Sequence, residues 1–243
     1  MKLKYTIATL AVTTMAVNAA ITATKDAANF DYIYNQDVDS SSLDLDSNTT
    51  ADFFTGNAAE HPAISASVAS FTSGDFYRTD FGGSIDRANF TATSGYTIEI
   101  EAQILGTGAA SGSNGTMAIF WRFGTGNASI TYIDDSGMWV SDGGTKTQIS
   151  TADNTDAMHT YRMAGDGTEF SVWRDGVLLG LFSEANAGTN QGLYLGDSGS
   201  TNSGDWNMNH MALSVGGFAP VPEPSSTALL GLGGLALILR RRK

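Results

Sequence analysis

The sequence contains no cysteine, so neither a disulfide framework nor thiolate metal ligation underlies its fold. Three histidines occur, and none has a second histidine at metal-ligand spacing. Cations are scarce through the body of the chain. Six of the 13 lysines and arginines are Lys2, Lys4 and the terminal Arg240, Arg241, Arg242 and Lys243. The remaining 7 stand against 24 acids once the tail's Glu223 is also set aside, a net charge of −17. Such a body repels nucleic acid and anionic lipid head groups, which removes those partners from consideration. Leucine is not dominant, and glycine, serine, threonine, asparagine and aspartate punctuate short apolar runs. That pattern speaks against a helical bundle and for a β-rich fold with many turns. At 243 residues the chain is long enough to bury a core without covalent staples.

Both ends differ from the body. MKLKYTIATLAVTTMAVNAA combines two lysines, an apolar stretch over residues 7–17 and small exit residues, the layout of a secretory signal peptide over residues 1–20. At the other end, VPEPSSTALLGLGGLALILRRRK carries a short apolar run. A bilayer-crossing helix needs about 20 apolar residues, with about 17 as a floor. Residues 225–239 fall just short, and the flanks decide the reading. Arg240, Arg241, Arg242 and Lys243 hold the far end on the cytoplasmic side, and their long stems extend the usable length. The expected disposition is an exported body, transiently tied to the inner membrane with a cytoplasmic C-terminus.

Pro222, Glu223 and Pro224, the Gly- and Leu-rich helix and the arginine cluster together closely resemble the PEP-CTERM sorting signal of Gram-negative bacteria. The resemblance covers residues 221–243. It implies that an exosortase, a membrane-embedded transpeptidase, recognises Pro222, Glu223 and Pro224 and delivers the chain to the cell surface or outside it. The physics agrees: two prolines keep the segment extended and available for binding as a strand.

The body, residues 26–218, reads as strands. Tyr96, Ile98, Ile100, Ala102 and Ile104 alternate with polar residues, the period of a strand with one buried side. Residues 117–123, 128–133 and 137–140 are further strand candidates, and residues 30–34 suggest another. In HTYRMAGDGTEFSVWRDGVLLGLF, residues 159–182, three strands follow with Gly165–Gly167 and Asp175-Gly176 as turns. Asp-Gly between apolar runs predicts a tight hairpin whose two turn residues take positive φ.

That meander, through His159, Tyr161, Phe170, Val172, Trp173, Asp175 and Gly176, resembles the LamG-like, concanavalin A-like family. Residues 94–100 are similar to its earlier core strand and residues 205–215 to its closing strand, so the likeness spans residues 71–218. It implies an all-β jelly-roll sandwich of two antiparallel sheets, and no single activity.

Glycosidases on that fold place paired carboxylates along one strand, and Glu99 and Glu101 invite the comparison. The third position is Gln103, which cannot shuttle a proton, and a solvated polar strand face explains the pattern. No Ser/His/Asp constellation or phosphate-cradling loop stands out. Asp44, Asp46, Asn48 and Asp52 sit at positions 1, 3, 5 and 9 of a calcium-loop pattern. Thr49 replaces its turn glycine and Thr55 its bidentate glutamate, so a calcium site and an ordinary Asp-rich loop both remain open. Trp121, Tyr132, Trp139 and Trp206 are candidates for stacking on sugar rings, with core filling as the alternative for each. The expectation is a non-catalytic exported protein that binds polysaccharide or builds the extracellular coat. A divergent polysaccharide hydrolase or lyase on the same fold is the alternative.

Overall fold

The computed structural model describes residues 21–35, 63–65, 68–71, 76–79, 95–107, 115–123, 126–188, 191–196 and 204–221. The strands, in chain order, are β1 (Tyr32–Asn35), β2 (Ala63–Ser65), β3 (Val68–Phe71), β4 (Phe76–Thr79) and β5 (Tyr96–Thr107). Next come β6 (Met117–Phe123), β7 (Gly126–Asp134), β8 (Gly137–Asp142), β9 (Thr145–Ser150) and β10 (His159–Gly165). The last are β11 (Glu169–Arg174), β12 (Val177–Ser183), β13 (Ala185–Gly188), β14 (Gln191–Gly196) and β15 (Gly204–Val215).

Two antiparallel sheets form the body. The first runs β12-β11-β10-β5-β15-β3-β2, with β1 also pairing to β15; the second runs β4-β14-β6-β7-β8-β9, with β13 on β7. The meander expected over residues 159–182 is β10, β11 and β12. Its second turn has Asp175 at φ 51° and Gly176 at φ 74°, as the Asp-Gly pair demands.

Alternation along the strands builds the interior. Tyr96, Ile98 and Ile100 on β5 meet Met117, Ile119 and Trp121 on β6, and all six are 2% exposed or less. Each fully buried side chain of this size contributes about 1.5–3 kcal/mol. Tyr96 and Trp121 stack across the two sheets with centroids 4.3 Å apart. Buried Ser129 points inward from β7 and donates to Glu184 Oε1 at 2.9 Å.

The two ends of the described body meet on the outer face of the first sheet. Gly216, at φ 94°, turns the chain after β15 so that Phe218 N–H donates to Thr97 Oγ1 at 2.8 Å. Residue 219 then pairs in parallel with Thr24: Ala219 N–H donates to Ala23 O, and Lys25 N–H to Ala219 O. Ile21 packs on Ala164 and Trp173 beneath this clasp. Lys25 Nζ reaches Ser214 Oγ at 2.6 Å and Asp31 at 3.1 Å, with the Phe30 and Phe218 rings beside it. No helix among the described residues is long and apolar enough to cross a membrane. The expected signal peptide (1–20) and sorting helix (225–239) lie outside those residues.

Candidate functional site

Two of the four aromatic candidates belong to the core. Trp121 shares the inward phase of Met117 and Ile119 on β6 and is 2% exposed. Trp206 is 1% exposed and lies flat on Phe71, centroids 3.8 Å apart. Neither presents a ring to solvent, which corrects the surface role considered for them. For Trp121 the parity of β6 carried the signal. For Trp206 the parity is broken by a register shift between Met208 and His210.

Tyr132 and Trp139 occupy the outer face of the second sheet, where they stand opposite one another on β7 and β8. Both are half-buried. Phe120 on β6 approaches Tyr132 edge-on at 5.7 Å and 86°. The register sets Tyr194 on β14 opposite Phe120, so four rings lie on four adjoining strands. Two cations thread this surface. Arg122 holds its guanidinium 4.4 Å above the Tyr194 ring and 5.8 Å from Phe120. Lys146, on β9, lays its ammonium 4.2 Å over Tyr132 and 5.5 Å over Trp139. The ammonium and Arg122 Nε are both buried without a hydrogen-bond partner. Burial pushes the Lys146 ammonium below the usual lysine range, with the Asp134 charge opposing, and pushes the Tyr132 phenol up. β9 carries no strand signal of its own, because TKTQIS holds one apolar residue. Lys146 is hidden with that strand, whereas Phe120, Arg122 and Tyr194 join the face only through the pairing of β14, β6 and β7.

The carboxylates of β5 are both engaged by neighbouring side chains. Glu99 Oε2 accepts from Arg162 Nε at 2.7 Å and pairs with its Nη2; their side chains are 12% and 3% exposed. Glu101 Oε2 accepts from Asn209 Nδ2 at 2.6 Å, and Gln103 Nε2 donates to Thr155 O at 2.7 Å. The expected solvated face is instead partly covered, because Arg162 also donates to Lys25 O in the overlying N-terminal segment. A cleft of about 470 Å³ remains there, lined by Asp26, Glu99, Arg162, Trp173 and Pro220 among others. Every charged group just named already has a partner: Asp26 Oδ1 accepts from Ala28 N–H.

His159 opens β10, with Nδ1 2.9 Å from Asp175 and Nε2 2.8 Å from Asp156. His210, in β15, has its pKa lowered by burial, against the charges of Glu99 and Glu101. No group of three or more His, Asp or Glu among the described residues could hold a metal. The calcium candidates Asp44, Asp46, Asn48 and Asp52 lie outside the described residues. So do Pro222, Glu223, Pro224, Arg240, Arg241, Arg242 and Lys243.

Among solved structures, the chain is similar to a Trypanosoma rangeli sialidase in complex with sialic acid. That match has 9% identity and a TM-score of 0.49, covering 77% of this chain and 31% of the sialidase. A Bacillus licheniformis beta-glucanase matches at 12% identity and TM-score 0.42, over 65% of this chain and 83% of that one. An alginate lyase of polysaccharide lyase family 7 matches at 12% identity and TM-score 0.45, over 64% and 82%. Against another sialidase the match spans 15% of that protein's length. No curated protein matches the sequence. Over residues 220–243 the chain carries a PEP-CTERM protein-sorting motif, beginning one residue beyond the clasped Ala219.

Proposed function

We propose that this is an exported, exosortase-processed protein whose LamG-like sandwich binds glycan without transforming it, as a component of the extracellular polysaccharide layer. The sorting motif implies export and an exosortase as processing partner. The observation that carries the glycan reading is the outer face of the second sheet, with the half-buried rings of Phe120, Tyr132 and Trp139 on adjoining strands and Tyr194 buried beneath Arg122 beside them. Aromatic rings beside hydrogen-bonding cations suit a ligand with apolar C–H faces and polar edges. The rings sit on paired strands rather than loops, so the surface is rigid before a ligand arrives.

A binding panel of neutral and acidic polysaccharides against the full chain tests this, with reducing-sugar and unsaturated-product assays run in parallel. Retention of at least one polymer, lost in Trp139→Ala and Tyr132→Ala, is the expected result. Turnover of any polymer would favour the hydrolase or lyase reading instead. Sorting is tested separately: Glu223→Ala, or loss of the exosortase, should leave the chain unprocessed in the cell membrane.

A further inference from the structure

The body has seven cations: Lys25, Arg78, Arg87, Arg122, Lys146, Arg162 and Arg174. Their placement is not even. Lys25, Arg162 and Arg174 all belong to the first-sheet side, and each is in an ion pair, with Asp31, Glu99 and Asp175 respectively. Arg122 and Lys146 stand on the outer face of the second sheet, and neither forms an ion pair with a described carboxylate. Arg78 takes the register position on β4 opposite Tyr194. Arg87 lies outside the described residues.

The described rows of this face hold one acid, Asp134, at the end of β7. Its Oδ1 is engaged by Ser136 N–H at 2.8 Å and Ser136 Oγ at 2.9 Å. Among the described residues, this face thus sets two cations without an ion pair, Arg122 and Lys146, among its rings.

We propose that this face binds an acidic polysaccharide, its carboxylate or sulfate groups taken by Lys146 and Arg122 while its sugar rings lie against the aromatics. The proposal rests on the glycan reading above and adds the chemical class of the ligand. A desolvated ammonium without an acceptor is unfavourable, and so is a buried guanidinium N–H left unmade. An oxyanion that draws the two side chains outward from the rings supplies the acceptor each lacks, through charge-assisted bonds. Salt screens the acids elsewhere on the body beyond about 8–10 Å, so a polyanion lying on this face meets chiefly the charges of the face itself. The five strands from β9 to β14 span about 19 Å at ordinary strand spacing, which suits an extended oligosaccharide rather than a single sugar.

The test uses the full chain in detergent micelles with polygalacturonate, dextran sulfate and neutral dextran, by titration calorimetry at low and at molar sodium chloride. Salt-sensitive binding of polygalacturonate or dextran sulfate, with dextran at least tenfold weaker, is expected, and the preferred polymer identifies the anion. Lys146→Met and Arg122→Met should each weaken that binding about tenfold. Lys146→Arg, which keeps the charge, should retain most of it, so lost charge is separated from damaged folding. Equal, salt-insensitive binding of dextran and polygalacturonate, abolished by Trp139→Ala, would overturn this inference and leave the glycan reading standing. A folded chain that holds none of the three polymers would overturn both.

Discussion

Tyr161 Oη donates to Asn154 Oδ1 at 3.0 Å, joining the first sheet to a loop residue that grips the second. Asn154 is 0% exposed. Its Nδ2 donates to Asp134 O at 2.7 Å and to Gly137 O at 3.0 Å, across the β7–β8 turn, and its Oδ1 also accepts from Arg174 Nε at 3.0 Å. One amide therefore ties strands β10 and β11 to the far hairpin. Asn154→Ala leaves two buried carbonyls and two donors without it, and should destabilise the body by about 3 kcal/mol in urea unfolding. Tyr161→Phe, which removes a single donor, should cost about 1 kcal/mol. The double variant should show less than the sum, because the two share a bond.

Glu184 sets a pH dependence. Its side chain is desolvated at the inner edge of the sheets, which pushes the carboxyl up to about 7, with Asp166 adding and Ser129 and the Gly167 N–H opposing. The folded state thus holds a proton that the unfolded chain releases near its ordinary value of 4.5. Stability should fall as pH rises from about 4.5 to 7, by up to about 3 kcal/mol, and level off above. Asp31 and Asp166 act oppositely. Burial raises each, but hydrogen bonds outweigh it and leave both pKa values lowered, so their contribution is lost as pH falls below the unfolded 3.8. Thermal melts across pH 4 to 9 should show the slope in the parent and lose it in Glu184→Gln, which should be the more stable protein at pH 8.

The tryptophans should separate by role. Trp121→Ala opens a cavity against Tyr96 and should cost about 3–5 kcal/mol. Trp139→Ala, on the outer face, should cost about 1 kcal/mol or less and remove polysaccharide binding. Melting temperature and binding measured on the same samples give the contrast. Similar melting losses in both would place Trp139 in a structural role.

Glu99→Gln should act on stability. It leaves the 3% exposed Arg162 guanidinium with a weaker partner, and a loss of about 3 kcal/mol is expected in chemical unfolding. Polysaccharide binding at the opposite face should be unchanged.

Much of the fold was legible because period two is a local property. The alternation from Tyr96 to Ile104 and the Asp175-Gly176 turn declared their strands without reference to any partner. Trp206 was not legible, because a bulge two residues later changes which parity faces inward, and a bulge leaves no simple mark in a sequence. β9 was hidden for a different reason. An edge strand can be polar throughout when its pairing and not its burial defines it, as with Thr145, Lys146, Thr147 and Gln148. The clasp between Thr24 and Ala219 joins opposite ends of the described body, so nothing local announces it. The candidate site is half visible in the sequence: Tyr132 and Trp139 stand out by residue type, whereas the cations between the rings depend on register.

The clasp gives the molecule a polarity in space. Residues leading into the sorting motif depart from the outer surface of the first sheet, held by Ala23, Thr24 and Lys25. The rings of β6, β7, β8 and β14 lie on the other side of the sandwich. The chain therefore leaves the body toward its tail from the back of the sandwich, and the aromatic rings form its front.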